Sequence, residues 1–164
     1  MEIERKWLIR KEDIPFDLES LPNYHIEQRY ISFHPSIRIR DINRGEKYIL
    51  TVKTKAPENT DQDISRNEYE TSITPEEYAD LKELCRGNVI LKRRYLKRDD
   101  SGLMLEIDLF EGKLSGLAYL EIEFSSETEA KKFTDPPWVL REVTHVPDFK
   151  NAALAKNGMP GEIR

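Results

Sequence analysis

Charged and apolar residues alternate with a period of two over most of this chain. In the opening stretch Glu2-Ile3-Glu4-Arg5-Lys6-Trp7, an extended strand puts Glu2, Glu4 and Lys6 on one face and Ile3, Arg5 and Trp7 on the other. The spacing returns in Arg38 and Arg40, Lys53 and Lys55, Glu68 and Glu70, Lys92 and Arg94, Glu106 and Asp108, and Glu121 and Glu123. Residues between these pairs, such as Ile39, Tyr69, Ile107 and Ile122, are mostly apolar. The pattern predicts about eight strands, over residues 1–9, 24–33, 36–42, 47–55, 64–73, 89–98, 103–110 and 117–124. Asn43-Arg44-Gly45-Glu46 predicts a hairpin turn between the third and fourth of them.

Helical signals are few and short. Thr74 ahead of Pro75, Glu76 and Glu77 is an N-cap with a first-turn proline, predicting a helix through Leu84 that stops near Gly87. Ser126 or Thr128 caps a short helix through Phe133, and Asp148 is expected to cap a last one over residues 149–157, closed by Gly158 and Pro160. Residues 17–21 predict a single helical turn, and residues 57–63 a polar surface loop. No repeat or low-complexity tract divides the chain. The expectation is one domain over residues 1–164, α+β in class, dominated by antiparallel strands.

Composition narrows the setting. A chain of 164 residues with 38% hydrophobic and 35% charged content has room for one moderate core. A net charge of -5 gives no overall pull toward nucleic acid or an anionic membrane, so neither is expected as a partner. No window approaches the roughly 20 apolar residues of a membrane span, and a single cysteine, Cys85, suits a reducing cytoplasm.

Taken singly, each charged strand face reads as solvated surface opposite an apolar core face. The set reads differently. Signs are segregated by strand, whereas a surface tuned for solubility intersperses them. Same-face carboxylates on one strand lie about 7 Å apart and repel by about 2 kcal/mol at an effective dielectric near 20. Several such pairs become tolerable if acidic and basic strands face each other across a lumen and share a bound cation and anion. An eight-stranded barrel has an interior wide enough for one small ligand. The chain is thus consistent with a closed barrel, charged inside and covered by helices outside.

Residue type then suggests the ligands. Carboxylates without a His or Cys cluster suit a hard divalent cation, Mg²⁺ or Mn²⁺. Lys6, Arg38, Arg40, Lys53, Lys92 and Arg94 exceed what one carboxylate ligand needs and match a polyphosphate. No P-loop or glycine-rich nucleotide fingerprint is present, so side chains would grip the anion.

At this point the residues resemble a known family. Glu2-Ile3-Glu4-Arg5-Lys6 is similar to the ExExK signature of the CYTH, or triphosphate tunnel metalloenzyme, family. The later segments match in order: Arg38-Ile39-Arg40, residues 50–53, Glu68-Tyr69-Glu70, residues 92–95, residues 106–112, residues 120–124 and Glu142-Val143-Thr144. The resemblance implies an eight-stranded antiparallel tunnel, with helices outside and the last one closing an end, that binds a triphosphate and a divalent metal. It implies Glu2, Glu4 and Glu123 as metal ligands with Glu121 close by, and Lys6, Arg38, Arg40, Lys53, Arg94 and Lys92 as phosphate contacts. Glu68, Glu70, Glu106 and Asp108 would complete an acidic wall.

The expected reaction is water attack on a terminal phosphorus, with Glu70, Asp108 or Lys92 as the candidate base. Inorganic triphosphate is the expected substrate. Alternatives within the resemblance are a thiamine triphosphatase, a class IV-type adenylate cyclase or a non-catalytic polyphosphate or nucleotide sensor. Glu2 follows Met1 directly, whereas the cyclase branch carries His-Phe before its ExExK, which argues against a cyclase. His25, His34 and His145 lack ligand spacing, Cys85 reads as inert, and Trp7, Tyr95 and Phe110 read as packing. Arg66, in phase with Glu68 and Glu70, has a lumenal or a merely structural reading. A homodimer is left open, with no clear apolar strip in the pattern to support one.

Overall fold

A computed structural model describes residues 1–161; residues 162–164 of the expected domain lie outside the described residues. Eight strands, β1 (Glu2–Leu8), β2 (Asn23–Ser32), β3 (Ser36–Ile42), β4 (Lys47–Lys55), β5 (Ser65–Ile73), β6 (Arg86–Arg98), β7 (Met104–Phe110) and β8 (Ala118–Glu123), lie in the order β5-β4-β3-β2-β6-β7-β8-β1. All neighbours are antiparallel, and β1 pairs a second time with β5, Glu2 opposite Arg66 and Ile3 opposite Ser65. That pairing closes the sheet into a barrel, as expected.

The charged faces point inward. Lys92 and Asp108 have no exposed surface at all, and Lys6, Arg38, Arg94 and Glu121 are buried. The solvated-surface reading therefore fails for the set, although it was reasonable for any one strand. Outward-facing Ile3, Trp7, Ile107, Leu120 and Ile122 form a core against Leu18, Phe124 and Ala130, with Phe133 and Trp138 packed on it. Burying each such side chain contributes about 1.5–3 kcal/mol. On the opposite flank Tyr48 stacks on Tyr78 of α1 (Pro75–Lys82), ring centroids 4.8 Å apart. The cross-strand row Ile37, Val52 and Tyr69 runs over the outer face of β3, β4 and β5, and Tyr69 is exposed; the sequence pattern had not shown this strip.

The helices follow their caps, with one correction. Thr74 and Glu77 form a reciprocal capping box on α1, and Ser126 caps α2 (Glu127–Lys132). Asp148 does not cap the last helix. Residues Pro147–Phe149 make a separate 3-10 turn, and α3 (Asn151–Asn157) starts after Lys150 with no side-chain cap. Burial of Phe149 decides this, because its ring joins Tyr119, Leu154 and Ala155 in a second core. A ninth strand, β9 (Arg141–Glu142), was also not expected; it pairs with Trp7 and Leu8, and two residues are too few to show alternation.

The second core plugs one end of the barrel. Inward-facing Tyr30, Ile90, Phe110 and Tyr119 meet Phe149 and α3 there. α3 lies so close to β6 that a Cβ at Gly87 would come within 2.5 Å of the Ala155 carbonyl oxygen. Gly87 has φ +73, so glycine answers both the approach and the backbone conformation.

Candidate active site

The barrel encloses a cavity of 1120 Å³. Strand alternation aims Glu2, Glu4 and Lys6 of β1, Arg38 and Arg40 of β3, Lys53 of β4, Glu68 and Glu70 of β5, Arg94 of β6, Glu106 of β7, and Glu121 and Glu123 of β8 into it. Lys92 and Asp108 face inward too but stand behind this lining, with no atom open to the cavity.

Sorting these charges into paired and unpaired groups shows what the cavity lacks. Lys53 Nζ is 2.8 Å from Glu2 Oε1 and 3.7 Å from Glu68 Oε2. Lys6 Nζ is 3.5 Å from Glu121 and donates to the Phe149 carbonyl at 3.3 Å. Arg94 donates to Asp108 at 2.7 and 2.9 Å and to Glu121 at 3.3 Å, and also pairs with Glu106. Lys92 Nζ donates to Asp108 at 2.8 Å and meets Asn151 Oδ1 at 3.4 Å.

Arg38 and Arg40 have no carboxylate partner among the described residues. The Arg38 Nε makes no hydrogen bond, and the Arg40 Nε donates only to neutral Gln28 at 3.0 Å. Burial, and then the charges of Arg38 and Arg94, push Arg40 down to about 10, as happens when cations converge without an anion. Glu4 and Glu123 are the converse. They lie directly opposite each other on β1 and β8, and among the described residues neither has an ion-pair partner. Burial, with the charges of Glu121 and Glu2, raises Glu4 well above the usual carboxylate range; burial and Glu2 also raise Glu123.

This donor set fits a hard divalent cation, since a metal bound at Glu4 and Glu123 would relieve the repulsion that raises both. Among the described residues no three carboxylates form a ready metal-ligand cluster. The pairing of Glu2 explains part of that. Burial opposes its charge, yet Lys53 at 2.8 Å, with Glu68 and Arg38 nearby, holds it down at about 2, so Glu2 is a carboxylate already committed to a partner. Burial and the neighbouring Glu2 push Glu68 up to about 7.

The three candidate bases differ sharply in access. Glu70 opens onto the cavity at the far end of β5, accepting from Thr51 at 3.3 Å. Asp108 is held far below the usual carboxylate range: burial alone would raise it, but Arg94 and Lys92 override that. Burial, opposed by Asp108 and reinforced by Arg94, pushes Lys92 down to about 8 from 10.5. Between those values the folded chain binds fewer protons here than the unfolded chain, so this group makes stability rise with pH across that window. An NMR titration of the Lys92 side chain should show a midpoint near 8; a midpoint near 10.5 would mean that the Asp108 pair fully offsets the burial.

Arg66 lines the cavity, in line with its lumenal reading, and Thr144, Lys150 and Asn151 join it there without having been anticipated. Those three follow β8, where no strand alternation marks which side chains turn inward. Thr144 Oγ1 accepts from the Lys6 backbone N–H at 2.8 Å and donates to Glu142 at 2.6 Å, while Glu142 takes Arg5 through two bonds of 2.7 and 2.8 Å. Arg5, between two cavity residues in sequence, thus fastens β9 and the end of α2 to the outside of β1.

The CYTH domain family model matches residues 1–146. The chain belongs to the CYTH domain family. It is 35% identical over 155 residues to an inorganic triphosphatase of Nitrosomonas europaea, covering 94% of this chain and 96% of that protein. It is 41% identical over 133 residues to an inorganic triphosphatase of Acetivibrio thermocellus, covering 79% of each. A crystal structure of an inorganic triphosphatase superposes with a TM-score of 0.65 at 32% identity, over 94% of both chains. The α3 segment that closes the cavity lies beyond the residues the CYTH model matches.

Proposed function

We propose that this CYTH chain hydrolyses inorganic triphosphate with Mg²⁺ or Mn²⁺ as cofactor. One observation carries the reading: unpaired Arg38 and Arg40 and unpaired Glu4 and Glu123 face the same cavity, which therefore calls for a polyanion and a cation together. Glu4 and Glu123, with Glu2 and Glu121 beside them, would hold the metal, which when bound neutralises phosphate charge.

Arg38 and Arg40 grip phosphate oxygens, and Lys6, Lys53 and Arg94 reach the same space from three other strands. Lys92 contributes positive potential from behind, while Asp108 locks both Lys92 and Arg94 in place; this positioning role suits a fully buried pair better than proton transfer. Glu70 is the proton acceptor, because its carboxylate alone of the three candidates opens onto the cavity. Water oxygen bonds to a terminal phosphorus as the bridging P–O bond breaks, the water proton passes to Glu70, and orthophosphate and pyrophosphate leave. The fixed cations supply orientation and charge stabilisation, which dominate phosphoryl transfer.

The chain acts on a small molecule, and no helix among the described residues is long and apolar enough to cross a bilayer. A cytoplasmic setting suits the free, half-buried Cys85. Phosphorus NMR of inorganic triphosphate turned over in ¹⁸O-water tests the chemistry. One labelled orthophosphate with unlabelled pyrophosphate is expected, and label in pyrophosphate or no turnover would refute it.

A further inference from the structure

The two arginines of β3 differ from the other gripping cations in what stands beside them on the sheet. Lys6, Lys53 and Arg94 each lie directly across the ladder from an acid, namely Glu121, Glu68 and Asp108. Arg38 instead lies between Tyr30 of β2 and Thr51 of β4, and Arg40 between Gln28 of β2 and Ile49 of β4. All four of these neighbours are uncharged at neutral pH. The strand register itself therefore leaves both guanidinium charges uncompensated.

Gln28 is the neighbour with the most specific contacts. It is fully buried and does not line the cavity, so it stands behind Arg40 rather than beside a bound ligand. A guanidinium Nε can only donate, so the 3.0 Å bond from Arg40 fixes Gln28 Oε1 as the acceptor and turns the amide nitrogen the other way. That nitrogen donates to the Tyr30 hydroxyl at 2.8 Å. Tyr30 stands opposite Arg38; burial lowers Arg38, and Tyr30 and then Glu2 more than offset it. One buried amide, satisfied at both ends, thus fixes Arg40 and joins it to the residue beside Arg38 with no formal charge. A carboxylate in this place would hold Arg40 as Asp108 holds Arg94, and would cancel its charge.

Resting on the triphosphatase reading, we propose that Gln28 is a positioning residue for the polyphosphate, its neutral amide aiming Arg40 into the cavity while leaving the guanidinium charge for the anion. Aim and charge are separable by substitution. Gln28→Glu keeps an acceptor for Arg40 and cancels the charge, whereas Gln28→Met keeps the charge and removes the acceptor.

The test is calorimetric titration of inorganic triphosphate into the metal-free protein, beside steady-state kinetics with Mn²⁺, for wild type, Gln28→Glu, Gln28→Met, Arg40→Gln and the double variant Gln28→Met/Arg40→Gln. Gln28→Glu should weaken triphosphate binding roughly tenfold or more and raise KM by a similar factor, with a smaller change in kcat. Gln28→Met should weaken binding less, and its loss should disappear once Arg40 is already replaced, because residues that act through one another are not additive. Melting curves check folding, and the Gln28→Met cycle decides alone if Gln28→Glu does not fold. Either Gln28 variant binding as tightly as wild type overturns the proposal, and so does a Gln28→Met loss that persists in full beside Arg40→Gln, which marks a general disturbance of the barrel. A wild type that binds triphosphate without turning it over refutes the hydrolase reading alone, since the binding constants still decide the role of Gln28; a wild type that does not bind it refutes both.

Discussion

Glu4→Gln should abolish metal-dependent turnover, by a thousandfold or more, while leaving the metal-free protein as stable as wild type or more so. The two halves of this expectation have one cause. Glu4 sits opposite Glu123 with no ion pair among the described residues, and burial together with Glu121 and Glu2 outweighs the pull of Lys53 and Lys6 and disfavours its charge. Neutralising it removes repulsion from the empty cavity and removes a ligand from the loaded one. Carboxylates kept mainly for the barrel's integrity behave the other way, losing stability when neutralised. The measurement is phosphate release with Mn²⁺ and thermal unfolding with chelator, on both proteins. A Glu4→Gln variant that melts well below wild type in chelator, or that keeps its turnover, contradicts the assignment.

Asp108→Asn should show the opposite balance, with a large loss of stability. Asp108 is fully buried and holds Lys92 at 2.8 Å and Arg94 at 2.7 Å, so the substitution leaves two buried cations short of an anion. Breaking a buried pair in this way costs about 3–5 kcal/mol. For a domain of this size that lowers the melting temperature by on the order of 10 °C. Turnover should fall because Arg94 loses its anchor, and the fall should appear in KM as well as in kcat. A variant with wild-type stability and a selective loss of kcat would instead make Asp108 the base, against its position behind the cavity lining. Glu70→Gln supplies the contrast, since kcat should fall with little change in melting temperature.

Most of the barrel was legible because period-two alternation repeats in strand after strand and each pair of charges two apart keeps one sign. Residues 38, 40, 53, 92, 94, 106, 108, 121 and 123 all face inward, as the alternation requires. What alternation cannot show is depth. Lys92 and Arg94 are equivalent in the pattern, yet Arg94 reaches the cavity while Lys92 ends against Asp108 and Asn151. Depth depends on the plug formed by Phe149 and α3, which arrives from the far end of the chain. The same plug hides Lys150, because a residue between a 3-10 turn and a short helix carries no periodic signal. Asp148 misled for a related reason: a good capping residue loses its helix start when the next side chain, Phe149, has a core to enter.

The account rests on one claim, that the cavity binds a triphosphate and a divalent cation together and hydrolyses the former. Initial rates of phosphate release from inorganic triphosphate, with Mg²⁺ or Mn²⁺ and then with chelator, test it most directly, with ATP and thiamine triphosphate run in parallel and cyclic AMP assayed in the ATP reaction. The account predicts fast release from inorganic triphosphate that vanishes with chelator, and little from the two organic triphosphates. Cyclic AMP from ATP, a preference for an organic triphosphate, or phosphate release undiminished by chelator would contradict it.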